Sequence, residues 1–116
     1  MKIAVTVILL FLSSIFYLNA NAECVRDSYG NVVCGKGQCA KDQYSKVFCA
    51  DAGGGAVKNR NGIVQCGVGY CKEDYLGYVW CSKEPGGGAE RDSHGKVVCF
   101  GGCDPASSEL CKEATK

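Results

Sequence analysis

The sequence is poor in the residues that most small enzymes and nucleic-acid binders rely on. It holds one histidine, one tryptophan, one methionine and two prolines in 116 residues. With His94 alone, no histidine cluster is available to bind a metal or to carry acid–base chemistry. No serine or cysteine has a setting that activates a nucleophile, so the chain reads as non-enzymatic, with no cofactor and no metal. An excess of either charge is missing too. Thirteen Lys+Arg stand against twelve Asp+Glu, with the signs interspersed. That excludes the basic footprint of a nucleic-acid binder and the cationic helix of a membrane-disrupting peptide.

Long apolar runs are absent except at the N-terminus. Met1 and Lys2 lead into an apolar stretch over residues 3–18, broken only by Thr6, Ser13 and Ser14 and closed by Ala20-Asn21-Ala22. A charged start, a short apolar core and a small-x-small site are the parts of a secretory signal peptide. Residues 1–22 are therefore expected to form a signal helix that is cleaved after Ala22. The alternative, a retained anchor, needs about 20 apolar residues, more than this run supplies. Cleavage leaves one domain, residues 23–116, with no membrane span and no net charge once Lys2 is gone.

What the domain has in abundance is cysteine and glycine. All ten cysteines and all sixteen glycines fall after residue 22. Cysteine is roughly 11% of the domain, the density of a disulfide scaffold. An exported chain with an even cysteine count permits complete pairing. The spacings Cys34-x4-Cys39 and Cys66-x4-Cys71 do not match the tight CxxC knuckles of zinc sites.

Five segments repeat: residues 24–34, 39–49, 56–66, 71–81 and 89–99. Each has Asp or Asn at its fourth position (Asp27, Asp42, Asn59, Asp74, Asp92), Val at its ninth and Cys at its eleventh. Four have Gly at the seventh; the second has Ser45. Connectors alternate between a Gly-x-Gly-x type (35–38, 67–70) and triple glycines (53–55, 86–88), so the true period is a pair of units. Triple glycines serve either as flexible linkers or as tight crossings between stacked elements, and their regular phase favours the latter.

Each unit reads as a β-hairpin. Asp or Asn caps a type I turn, and the glycine three residues later takes the positive φ of a bulge. Counting outward from that turn sets Cys24 across from Cys34, Cys39 from Cys49 and Cys71 from Cys81. Directly opposed residues in a non-hydrogen-bonded pair lie about 4.5 Å apart, within disulfide range. Units three and five carry Ala56 and Ala89 in the partner slot, which leaves Cys66 and Cys99. Cys103 and Cys111 fall in a shortened sixth unit. The expected remaining bridges are Cys66–Cys99 and Cys103–Cys111. A rival scheme joins neighbours across the short loops: Cys34–Cys39, Cys66–Cys71 and Cys99–Cys103. The fold expected is thus small, all-β and disulfide-rich, a tandem of about five short hairpins plus a shortened sixth.

Unit four is the most aromatic, with Tyr70, Tyr75, Tyr78 and Trp80. Trp80 falls opposite Lys72, and Tyr78 opposite Asp74. This face is either a binding surface or the main plug of a thin core. The recurrent acids also invite a calcium ladder, but each unit offers one oxygen donor group where a calcium loop needs several. Together these features describe a secreted, non-enzymatic repeat protein acting as an extracellular binding or structural module. Its partner would be an extracellular protein, a glycan or a surface, met outside the cell or in the periplasm of a bacterium. Two alternatives remain: a protease inhibitor presenting Arg60, Tyr29 or Tyr44 from rigid turns, and a secreted defence peptide. The candidate binding residues are Trp80, Tyr78, Lys72 and Arg60.

Overall fold

A computed structural model describes residues 22–114 of the chain. The signal segment expected at residues 1–22 lies outside the described residues, apart from Ala22. Twelve short strands build antiparallel sheets of two or three strands, with one 3₁₀ turn, Ser108–Leu110, near the end. Unit one is β1 (Cys24–Arg26) with β2 (Val32–Cys34), and unit two is β3 (Cys39–Lys41) with β4 (Val47–Cys49). Unit three is β5 (Ala56–Lys58) with β6 (Val64–Cys66), and unit four is β7 (Cys71–Glu73) with β8 (Val79–Ser82). Unit five is β9 (Ala89–Arg91) with β10 (Val97–Cys99).

The turns form as their chemistry dictates. In each unit the fourth residue donates its N–H to the eighth and accepts from the seventh, at 2.8–3.1 Å. Its side-chain Oδ1 also accepts the N–H of the sixth and eighth residues at 2.8–3.0 Å. The Oδ1 of each Asp or Asn is thus taken by its own turn, and the cap accounts for the recurrence of these residues. The seventh residue has φ between 65° and 93° in all five units, and Ser45 is the non-glycine among them. Cysteines one and eleven then face each other, and Cys24–Cys34, Cys39–Cys49 and Cys71–Cys81 are bridged.

The hairpins stack. The tenth residue of one unit covers the ninth and eleventh of the next. Val33 packs with Val47 and Cys49, and Phe48 and Ala40 pack with Val64 and Cys66. Both faces of the inner hairpins are thereby used, so the core is a series of thin layers rather than a single face. The ends of the stack show what stacking removes from water. Val32, with no preceding unit, is 58% exposed, and Val98, with no following unit, is 61% exposed, whereas Val47, Val64 and Val79 are buried.

The glycine connectors are tight crossings. Gly35 donates to Glu23 O, Gly67 to Gly55 O and Phe100 to Gly88 O, one bond repeated three times along the chain. Gly37 and Gly69 donate likewise to Ala50 O and Ser82 O. Gly35 lies against Cys49, and Gly67 against Cys81, so closely that any Cβ there would collide with the bridged cysteine.

The C-terminal segment departs from expectation. Residues 103–111 do not form a sixth hairpin, and the bridges Cys66–Cys99 and Cys103–Cys111 are not made. The bonds are Cys66–Cys111 and Cys99–Cys103. The latter belongs to the rival scheme; Cys34–Cys39 and Cys66–Cys71 do not form, and no described cysteine is free. The reason is non-local pairing. After Cys99 the chain turns through Gly101 and Gly102, both at positive φ, and runs back along the stack. Strand β11 (Cys103–Pro105) pairs with β8, Ser107 bridges to Cys66, and β12 (Lys112–Glu113) pairs with β4. Ala114 then donates to Val47 O at 3.1 Å. This strap hydrogen-bonds the otherwise open edges of units four, three and two in turn. Covered edges are how sheet proteins avoid unwanted pairing. The strap also adds an ion pair. Lys46 lies across from Asp42 in the hairpin, and its Nζ meets Glu113 of the strap at 3.6 Å.

Two outcomes are expected. Ser45→Gly should stabilise the oxidised protein by about 0.5–1 kcal/mol, because it removes a side chain from the left-handed region. A guanidinium midpoint that falls or stays fixed would contradict this. Replacing Cys66 and Cys111 with serine opens a 45-residue loop and should cost about 4 kcal/mol in the chain-entropy picture, against about 2 for Cys99 and Cys103. Hydrogen exchange at Ser107 and Ala114 should accelerate in the first variant, and equal losses in the two variants would count against the strap.

Candidate functional site

Unit four carries Lys72, Tyr78 and Trp80, and Arg60 comes from the turn of unit three. Trp80 sits in the middle strand of a three-stranded sheet, between Lys72 on β7 and Pro105 on β11. Its ring is half-buried and its Nε1 donates to Asp74 Oδ2 at 2.9 Å. It is therefore neither a sealed core plug nor a free surface ring. It forms a wall of the groove between units four and five, beside Leu76, Lys96 and Val97. Tyr78 is 64% exposed; it lines one groove with Arg60 and Gln65, and another with Trp80 and Pro105. The structure thus does not gather the four residues into one site.

Lys72 meets Glu90 of unit five at 3.7 Å. Arg60 is held along the surface. Its Nε lies 2.9 Å from Glu73 Oε1, its Nη2 donates to Tyr75 O at 3.5 Å, and it passes beneath Gly77, where a Cβ would meet it at 2.7 Å. An inhibitor loop would need this side chain free to enter a partner's pocket.

Asp74 is the one buried carboxylate among the described residues. Burial alone would raise its pKa. Hydrogen bonds from the Trp80 indole and from the backbone of Tyr78, Leu76 and Gly77 outweigh that, and the carboxyl lies below its ordinary 3.8. Glu90 is also lowered, first by the Arg91 N–H on its carboxylate and then by the charge of Lys72. Among the described residues, no three of His, Cys, Asp and Glu come together as metal ligands. No described helix is long and apolar enough to cross a membrane.

The most exposed large apolar residues among those described are two turn tyrosines. Tyr29 and Tyr44, at the tips of turns one and two, are 88% and 79% exposed and line one groove. Their shared sixth position in the repeat was the available signal. No protein-family model matches the chain, and neither a curated protein nor a solved structure matches it.

The Asp74–Trp80 bond makes a pH prediction. An aspartate lowered by folding stabilises the native state above its unfolded pKa, and that contribution is lost as pH falls through the lower folded value. Trp80, the sole tryptophan, reports it. Its fluorescence should change with a midpoint below 3.8, and Asp74→Asn should abolish that change while keeping the turn, as Asn59 does in unit three. A midpoint above 3.8 would contradict the assignment.

Proposed function

We propose that the protein is a secreted, non-enzymatic module whose stacked hairpins present fixed turns to an extracellular partner. The observation that carries this reading is the complete pairing of all ten cysteines in so short a domain, with no described thiol left free. Such bridging is stable in oxidising compartments and is rare in the cytosol. Cleavage after Ala22 would also suit the fold. Among the described residues, Glu23 is the first that is bonded into the fold: its carbonyl accepts from Gly35, and its Oε2 accepts from Cys39 N at 2.8 Å. The turn tips are held by side-chain caps and by bonds between units, such as Gln43 N to Gly62 O and Tyr75 N to Gly95 O. Preordered tips lose little entropy on binding a partner.

Expression in a host with its export pathway intact tests this. The intact mass of the exported protein should match residues 23–116 with all cysteines oxidised. A cytosolic product that retains residues 1–22 or carries free thiols would sink the reading.

A further inference from the structure

The junction between units one and two and the junction between units three and four are copies of one another, offset by 32 residues. Each holds a groove of about 350 Å³, at the small end of the range for ligand sites, roughly 300–1,000 Å³. The hairpin registers are equivalent in both, and the linings differ; Glu113 and Ala114 of the strap enter only the first. At the second junction the turn tips carry Asn61 and Leu76, and Arg60 is tied to Glu73. At the first junction the tips carry Tyr29 and Tyr44, with Ser28 in the place of Arg60 and Lys41 in the place of Glu73.

The comparison isolates the two tyrosines. The sixth position of the turn contributes its backbone N–H to the cap, and Tyr, Asn, Leu and His all occupy it among the five units. The fold therefore places no demand on an aromatic ring there. Yet both rings of the first junction flank one groove, and both are almost wholly exposed. Large exposed apolar surface on a monomer marks an interaction site when it is contiguous and rimmed by polar groups.

The rim sets the ligand chemistry. Asp27, Ser28, Ser45 and Lys46 line the groove with the two rings. Asp27 Oδ1 is taken by the turn, while its Oδ2 accepts no bond among the described residues, in contrast to Asp74 Oδ2, which Trp80 occupies. A purely apolar ligand would strip water from these groups without replacing it. A polyanion would face Asp27 and Glu113 with Lys46, itself paired to Glu113, as the cation in the groove. A neutral pyranose fits both features: its C–H face lies flat on a tyrosine ring, and its hydroxyls serve hydroxyl and carboxylate partners.

We propose that the groove between units one and two binds a neutral oligosaccharide, with Tyr29 and Tyr44 as stacking platforms and Asp27 Oδ2 as hydroxyl acceptor. This inference rests on the reading of the protein as an extracellular binding module. The test is an NMR titration of the oxidised, ¹⁵N-labelled protein with cellohexaose, xylohexaose and chitohexaose in turn. The expected result is that at least one sugar shifts the amides of Tyr29, Tyr44 and Ser45, with a Kd of about 0.1–1 mM. The double variant Tyr29→Asn, Tyr44→Leu copies the other junction, so its fold should be retained. It should weaken binding at least tenfold.

Three results would overturn the proposal. One is no shift at these amides with any of the three sugars. Another is undiminished binding in the double variant. The third is a shift of the same amides with protein concentration alone, which would replace the sugar with a second copy of the chain. None of these touches export or cysteine oxidation. A failed export test removes the module reading whatever the titration shows.

Discussion

The structure depends on one small constraint, the carboxylate or amide that caps each hairpin turn. A single Oδ1 accepts two backbone N–H groups, at the sixth and eighth residues of the unit. That geometry fixes the loop at three residues and hence the register of the strands beside it. With the register fixed, the first and eleventh residues oppose each other across a non-hydrogen-bonded pair. Where both are cysteine, a bridge closes the hairpin. Where the first is alanine, as in units three and five, the eleventh cysteine is left to bind elsewhere. A one-residue slip would turn every side chain to the opposite face, so the turn also decides which residues can stack.

Stacking then supplies what an isolated hairpin lacks. Two short strands are marginal in water, and each of these has only three or four residues. Covering the Val–Cys face of one unit with the tenth residue of the preceding one builds a core from layers. The exposed Val32 and Val98 mark where the layering stops. Glycine at the crossings lets successive hairpins approach to contact with the cystines. The returning strap holds the layers in order. It touches units four, three and two, and near its end Lys112 meets Asp51 at 2.9 Å and Ala114 donates to Val47 O. Three covalent bridges each closing a ten-residue span make local hairpins; Cys66–Cys111 makes them one body.

The hairpins, their registers and three disulfides were legible in the sequence because each is set by residues at most ten apart. The Asp-x-x-Gly turn and its cysteines state the answer locally. The strap was not legible. Residues 100–114 carry no repeat, and their partners on β8, β6 and β4 lie 21 to 65 residues away in the registers they adopt. Spacing read Cys103 and Cys111 as another hairpin because it registers only near neighbours. The site was partly legible for a related reason. Trp80 and Arg60 draw notice as unusual residues, yet the stack engages both, one with Asp74 and the other with Glu73. Tyr29 and Tyr44 look like ordinary turn residues until the fold brings two successive tips to one groove.

A protein built this way presents a row of turns whose sixth residues are free to vary, since the cap needs only their backbone. In the proposed function those unconstrained positions meet the partner, and the strap keeps them in line. The most direct test of this account is disulfide mapping of the non-reduced protein by partial proteolysis and mass spectrometry. The account predicts Cys66 linked to Cys111 and Cys99 linked to Cys103, beside the three hairpin bridges. Peptides that link Cys66 to Cys99, or Cys103 to Cys111, would mean that the chain does not return along the stack, and the account would fail.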